Sequence, residues 1–194
     1  MSTRDPFRTH QSGLTLIELV VFIVIVSVAL AGIIGVFNLN TQHSADPMAQ
    51  KQALAIAESM LEEIELMPFT YCDPDDANAT TAADATGCAT TAEGMGPETG
   101  ETRYSATTPF DNVNDYDGFT MNAGNGGILD ITGAPVGGAG TLDAYSVVVA
   151  VTPTALGSIA STDSLLITVT VTGPGSTSVV LNGYRTRYAP NATP

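Results

Sequence analysis

From Gly13 to Phe37 the chain reads GLTLIELVVFIVIVSVALAGIIGVF, a run in which Glu18 is the sole charged residue. As a helix rising about 1.5 Å per residue, Leu14 to Phe37 would reach about 36 Å, more than the roughly 30 Å of a bilayer's hydrocarbon core. The run is therefore expected to span a membrane. Arg4, Arg8 and His10 precede it, and no Lys or Arg follows before Lys51. The positive-inside bias places the first dozen residues in the cytoplasm and sends the C-terminal bulk across the membrane.

Glu18 needs an explanation, because a carboxylate near the end of an apolar helix is costly in lipid unless it is protonated, reaches the interface or meets a cation. No basic side chain stands within helical reach of it. A cut after Gly13 would create an α-amine on Leu14, four residues before Glu18, able to pair with a carboxylate of the same or a neighbouring subunit. The sequence Gly13 followed by LTLIELVVFIVIV resembles the class III signal of type IV prepilins and type II secretion pseudopilins. That resemblance implies cleavage after Gly13 by a membrane aspartyl prepilin peptidase, N-methylation of Leu14, and a docking role for Glu18 in filament assembly. The family usually has Phe after the cut, where this chain has Leu14.

Two other readings fit parts of the pattern. Arg4, Arg8, the apolar stretch Leu19 to Leu30 and Ala29 to Ala31 resemble an ordinary secretory signal cut after Ala31, which leaves Glu18 without a role. An uncut single-pass anchor would make Gly13 and Glu18 incidental.

The exported part is strongly acidic. Of 6 basic and 20 acidic residues, Arg4, Arg8 and Asp5 lie before the cut, leaving Lys51, Arg103, Arg185 and Arg187 to face nineteen carboxylates. Such a surface repels phosphate backbones, so nucleic acid is not an expected partner, whereas divalent cations or basic partners are compatible with it. Cys72 and Cys88 both fall in the exported part, where oxidising conditions favour a disulfide. A ring of this size contributes about 3 kcal/mol by loop-closure entropy.

Between Ala45 and Met67, Leu54, Ala57, Leu61 and Ile64, with Ala53, Ile56 and Met60 beside them, recur at intervals of three and four, which predicts an amphipathic helix. Asp46 before Pro47 suits an N-cap and first helical position, and Pro68 suits a stop; the family resemblance favours one helix from Leu14 to about Met67. Glu58, Glu62, Glu63 and Glu65 read as a solvated face. Tyr71 to Asn125 reads as loop, with Phe69, Tyr104, Phe110, Tyr116 and Phe119 as anchors. Strands are expected at Ala144 to Thr152, Leu165 to Thr172 and Thr177 to Tyr188, with a hairpin turn at Gly173-Pro174-Gly175. Shorter strands are expected at Gly127 to Ile131 and near Arg103 to Thr107. Ile167, Val169 and Val171 share one strand face, which the amphipathic helix is expected to cover.

No catalytic constellation stands out, since His10 and His43 both lie near or before the apolar run; a non-enzyme is expected. Two acidic clusters carry the hard oxygen ligands that calcium takes: Asp73, Asp75 and Asp76, and Asp111, Asn112, Asn114, Asp115 and Asp117. The second is not an EF-hand, because aligning Gly118 with that motif's glycine puts Val113 and Gly124 at ligand positions. No other cofactor is expected.

The stretch AIAESMLEEIELMPFTYCDPDDAN, within Gln50 to Asn78, further resembles minor pilins of the mannose-sensitive haemagglutinin (MSHA) pilus. The resemblances together imply an α+β, type IV pilin-like fold, with a long N-terminal helix, half of it transmembrane, packed on a C-terminal antiparallel sheet. The divisions expected are a leader at 1–13, a membrane and filament-core helix at 14–37, an amphipathic continuation at 38–68 and an exported domain at 69–194. They also imply other pilin subunits, the prepilin peptidase and an inner-membrane assembly platform as partners, with final residence in a surface pilus. A type II secretion pseudopilin and a membrane-anchored, calcium-dependent binding module are the alternatives.

Overall fold

A computed structural model describes residues 15–193, excluding the side chains of 38–46. Gly13 and Leu14 lie outside the described residues. The chain divides into two units, Met1–Ala45 and Asp46–Pro194, and helix α1, Leu16–Leu66, contributes to both.

In the first unit, Leu16–Phe37 has a mean hydropathy of 3.1 and none of it is buried within the protein. Apolar side chains occupy every side of the helix, with no polar stripe to face water. That pattern suits a helix surrounded by lipid or by other apolar helices.

In the second unit α1 is amphipathic. Ala53, Ala57, Met60 and Ile64 form its buried stripe, at the intervals of four, three and four that one helix face requires. The stripe is rotated slightly from the expected one, because Leu54 is exposed and the smaller Ala53 takes the contact. The expected helix start at Asp46 and Pro47 is corrected: Pro47 lies inside α1. A proline deletes one i→i−4 bond, and here the turns on both sides remain helical. The helix ends two residues before Pro68.

Four strands form one antiparallel sheet in the order β1-β2-β3-β4, with β1 at Thr120–Met121, β2 at Ser146–Pro153, β3 at Ser164–Gly173 and β4 at Thr177–Thr186. Val149 pairs with Val169, which pairs with Leu181. Two residues along, Val147, Val171 and Val179 are likewise in register. Val147, Val149 and Val151 of β2 and Ile167, Val169 and Val171 of β3 are buried with the α1 stripe in one core, while Val148 and the threonines of β3 alternate to the other face. At Gly183 a Cβ would meet the Glu65 carboxylate and come within 2.9 Å of Leu61 Cδ1, so glycine permits close approach of α1 to β4.

The three long strands appear within two residues of their expected limits. The two short ones do not. Arg103 to Thr107 is a turn in which Ser105 Oγ accepts the N–H groups of Thr107 and Thr108, an alternative to strand pairing that serine offers its own backbone. Gly127 to Ile131 makes only an isolated bridge from Leu129 to Pro135, while Asp130 Oδ1 accepts the N–H groups of Thr132 and Ala134. The fourth strand is instead the two-residue β1, paired to Val147 and Val148.

The long loop packs through its aromatic anchors. Phe110, Tyr116 and Phe119 meet edge to face with centroids 5.1–6.1 Å apart, a favoured arrangement for such rings. Cys72 and Cys88 are bonded, with an S–S distance of 2.02 Å. Within the ring Asp76 is a hub. Its Oδ1 accepts N–H groups of Asn78 and Ala89, and its Oδ2 accepts those of Thr90 and Thr91 and the Thr90 hydroxyl.

Candidate functional site

The apolar helix begins at Leu16, and Glu18 lies in its first turn, where the positive end of the helix dipole favours a carboxylate. The Glu18 N–H donates to Thr15 Oγ at 3.4 Å. Glu18 is exposed, as are Leu16, Ile17 and Leu19 around it. The arrangement presents one acidic group at the head of an uncovered apolar surface.

Glu63 corrects the reading of the α1 carboxylates as a solvated face. Glu58, Glu62 and Glu65 are exposed, but Glu63 forms a two-pronged pair with Arg103, Nε to Oε1 and Nη2 to Oε2, both at 2.6 Å. Tyr116 Oη donates to the same Oε1 at 2.8 Å. Arg103 Nη1 donates to the carbonyls of Leu129 and Asp130, and its guanidinium lies 5.2 Å and 5.6 Å from the Tyr104 and Phe119 ring centres. Burial acts to lower the Arg103 pKa, and the Glu63 carboxylate more than offsets it, leaving it raised. Burial, then the Glu63 charge, raises that of Tyr116. The assembly locks the loop to α1. Sequence spacing carried no signal for a pair 40 residues apart.

The acidic residues singled out for calcium are redistributed. Backbone bonds from Asp73 N–H to Thr91 O and from Glu93 N–H to Tyr71 O, with Cys72 opposite Ala92, carry Glu93 to the side of the disulfide ring. A 3-10 turn, Val113–Tyr116, is closed at its start by Asn112 and Asp115. Glu93, Glu98 and Asp115 there offer carboxylate oxygens within 4.8 Å of one another; the same holds for Asp73, Glu98 and Glu101, and for Asp73, Asp75 and Asp111. Of the expected ligands, Asn114 and Asp115 meet Glu93, whereas Asp111 faces Asp73 and Asp75. Asp117 is engaged elsewhere, its Oδ1 accepting the Val151 N–H at 2.9 Å. Asp76 is occupied within the disulfide ring. Glu93, Glu98 and Glu101 were not foreseen, because they reach the cluster only through the folding of the loop.

The donor pattern is uneven. Asp115 Oδ2 accepts the N–H groups of Asp111 and Asn112 at 2.9 Å and 2.7 Å, while its Oδ1 is buried without a partner. Asn114 Nδ2 donates to Glu93 Oε1 at 2.6 Å and to Gly94 O. Both partners are acceptors, which fixes the orientation of the amide. Glu93 Oε2 and Asn114 Oδ1 are then also buried without partners. Burial, with like charge adding to it, raises the pKa values of Glu93 and Asp115. Asp111 and Glu101 are each pushed up to about 7, first by burial and then by neighbouring carboxylates.

Residues 8–34 match the family model of the prokaryotic N-terminal methylation motif. The match is consistent with a type IV prepilin or pseudopilin, a structural class rather than an enzyme class. Comparison with curated proteins and with solved structures gave no significant match.

Proposed function

We propose that this chain is a minor pilin of an MSHA-like type IV pilus. Hydrolysis of the Gly13–Leu14 bond by the prepilin peptidase frees the Leu14 amine, which is then N-methylated. Before assembly the subunit rests in the inner membrane through Leu16–Phe37, with its N-terminus cytoplasmic and its acidic domain periplasmic. The inner-membrane platform then moves it into a filament whose core is built of apolar helices and whose surface carries the C-terminal domains. Its role is to prime assembly or tune adhesion, without catalysis.

The observation that carries this reading is Glu18, the one charge in an apolar helix exposed on every side, within the matched methylation motif. An isolated carboxylate at the centre of a membrane helix costs about 2.5–3.5 kcal/mol on insertion scales, less near the interface. Pairing with the Leu14 amine of a neighbouring subunit removes that cost and favours one axial register. The Gln50 to Asn78 resemblance favours a pilus over a secretion pseudopilus.

The test is the N-terminal mass of the protein from cells, combined with Glu18→Ala. A start at Leu14, and a Glu18→Ala chain that is cut normally but missing from sheared surface filaments, is the expected result. A start at Gly32 or an intact N-terminus would overturn the filament reading. Loss of exoprotein release on deletion, with no protein in sheared filaments, would replace the pilus with a type II secretion pseudopilus.

A further inference from the structure

The geometry points to a calcium site formed by the carboxylates of Glu93, Glu98 and Asp115, with the amide oxygen of Asn114 beside them. Proximity of carboxylates alone would not carry this, since exposed acidic clusters are common. The deciding observation is the buried oxygens left over after every hydrogen bond is made. Asp115 and Asn114 are 0% and 1% exposed, and each keeps a buried oxygen with no donor, as does Glu93. In Asp115 and Glu93 one carboxylate oxygen is held by N–H donors while the other is orphaned. A buried acceptor without a donor is destabilising. Three of them around like charges are a cost that a cation removes.

Arg187 is a cation whose charge is felt at Glu93, but no cationic side chain among the described residues pairs directly with these carboxylates. Among the described residues the one ion pair is Arg103 with Glu63. Arg187 lines a cavity of about 280 Å³ with Glu93 and Asn114, but its guanidinium stacks 3.9 Å and 4.5 Å from the centres of the Phe69 and Tyr71 rings. The cavity reaches Glu93 and Asn114 but is not lined by Glu98 or Asp115.

The chemistry of the donors selects the ion. All are hard oxygens, with no imidazole or thiolate among them, which disfavours zinc and the softer transition metals. Ligand oxygens within 4.8 Å of one another fit around an ion whose opposed Ca–O bonds together span about 4.6–5.2 Å. Magnesium holds its waters and usually takes one or two carboxylates, fewer than the three here. Asp73 and Glu101, which share a second group with Glu98, add negative potential that draws the ion in. Bound calcium would tie the edge of the disulfide ring and the 94–101 turn to the capped 3-10 turn, which Val113 and Tyr116 anchor in the core.

The experiment uses the full chain in detergent micelles, stripped with EGTA, then dialysed against radioactive calcium and melted with and without it. Expected are saturable binding of one calcium per chain, with Kd about 10⁻⁴–10⁻³ M as in extracellular modules. A Tm rise of about 5–10 °C should appear when calcium exceeds Kd a hundredfold. Glu98→Gln is the informative variant, because the Glu98 carboxylate accepts no hydrogen bond among the described residues and its loss leaves the capping pair intact. It should weaken calcium binding tenfold or more while the stripped protein remains folded. No saturable binding up to about 10 mM calcium, unchanged affinity in Glu98→Gln, or an equal Tm rise with magnesium would overturn the assignment. The N-terminal segment has no part in this site, so the outcome is independent of the filament reading.

Discussion

Asp76, inside the disulfide ring, accepts five hydrogen bonds shared between its two oxygens, whereas Asp115, in the loop beside it, accepts two on one oxygen and none on the other. Glu63 belongs with Asp76, since both its oxygens are held by Arg103. The electrostatic consequences run in opposite directions. Hydrogen bonds led by those from Thr91 and Ala89 hold the Asp76 pKa well below the usual carboxylate range, while burial raises those of Asp115 and Glu93. One set of carboxylates strengthens the fold by being ionised. The other asks for a proton or a metal ion.

The largest expected effect lies in the satisfied set. Arg103→Met removes the cation from a side chain only 4% exposed and leaves Glu63, 17% exposed, to Tyr116 alone. Breaking a buried pair from one side costs about 3–5 kcal/mol, which a denaturant titration of the purified full chain should register. A loss below about 1 kcal/mol would show that solvent replaces Arg103 and would remove Glu63 from this side of the contrast.

Next in size is the acid response of Asp76. Its folded-state pKa is depressed, so its contribution is complete above the ordinary aspartate value near 4 and is lost as pH falls below that toward the folded-state pKa. Asp76→Asn should lower Tm by several degrees at pH 7 and by progressively less toward pH 2. A difference that stays constant with pH would mean that shape, not charge, is what the ring requires.

The halves of this contrast were unequally legible in the sequence. Helix and strand periods are local, so the amphipathic part of α1, with its stripe slightly rotated, and the inward residues of β3 followed from spacing, and two cysteines in a part expected to be exported implied their bond. The Glu63–Arg103 pair joins residues whose local patterns say only that one is helical and the other sits in a polar loop. β1 is two residues long and exists because Val147 and Val148 need a partner on one side. The acidic clusters were visible as composition, yet which carboxylates meet depends on the bridge between Cys72 and Ala92 and on the capped turn at Val113–Tyr116. Those features bring Glu93 and Glu98 in and leave Asp117 to Val151.

The smallest expected effect is the most discriminating, because its sign is opposite to that of ordinary substitutions. Glu101 is drawn into the cluster with Asp73 and Glu98, and its Oε2 accepts the Glu98 N–H at 3.2 Å. Burial, then the charges of Glu98, Asp111 and Asp73, push its pKa up to about 7. A raised carboxyl pKa means that the folded state binds more protons than the unfolded one between about pH 4.3 and 7. Stability in EGTA therefore falls as pH rises through that window, and the full penalty is present above it. Glu101→Gln keeps an oxygen for the Glu98 N–H and deletes the charge. In EGTA at pH 8 it should raise Tm by a degree or two, and at pH 4 the gain should vanish because the wild-type carboxyl is already protonated. Calcium, by neutralising the same repulsion, should shrink the gain at pH 8. A Glu101→Gln chain that melts lower than wild type in EGTA would mean that these carboxylates are relaxed without a cation, and the distinction between the two sets would collapse.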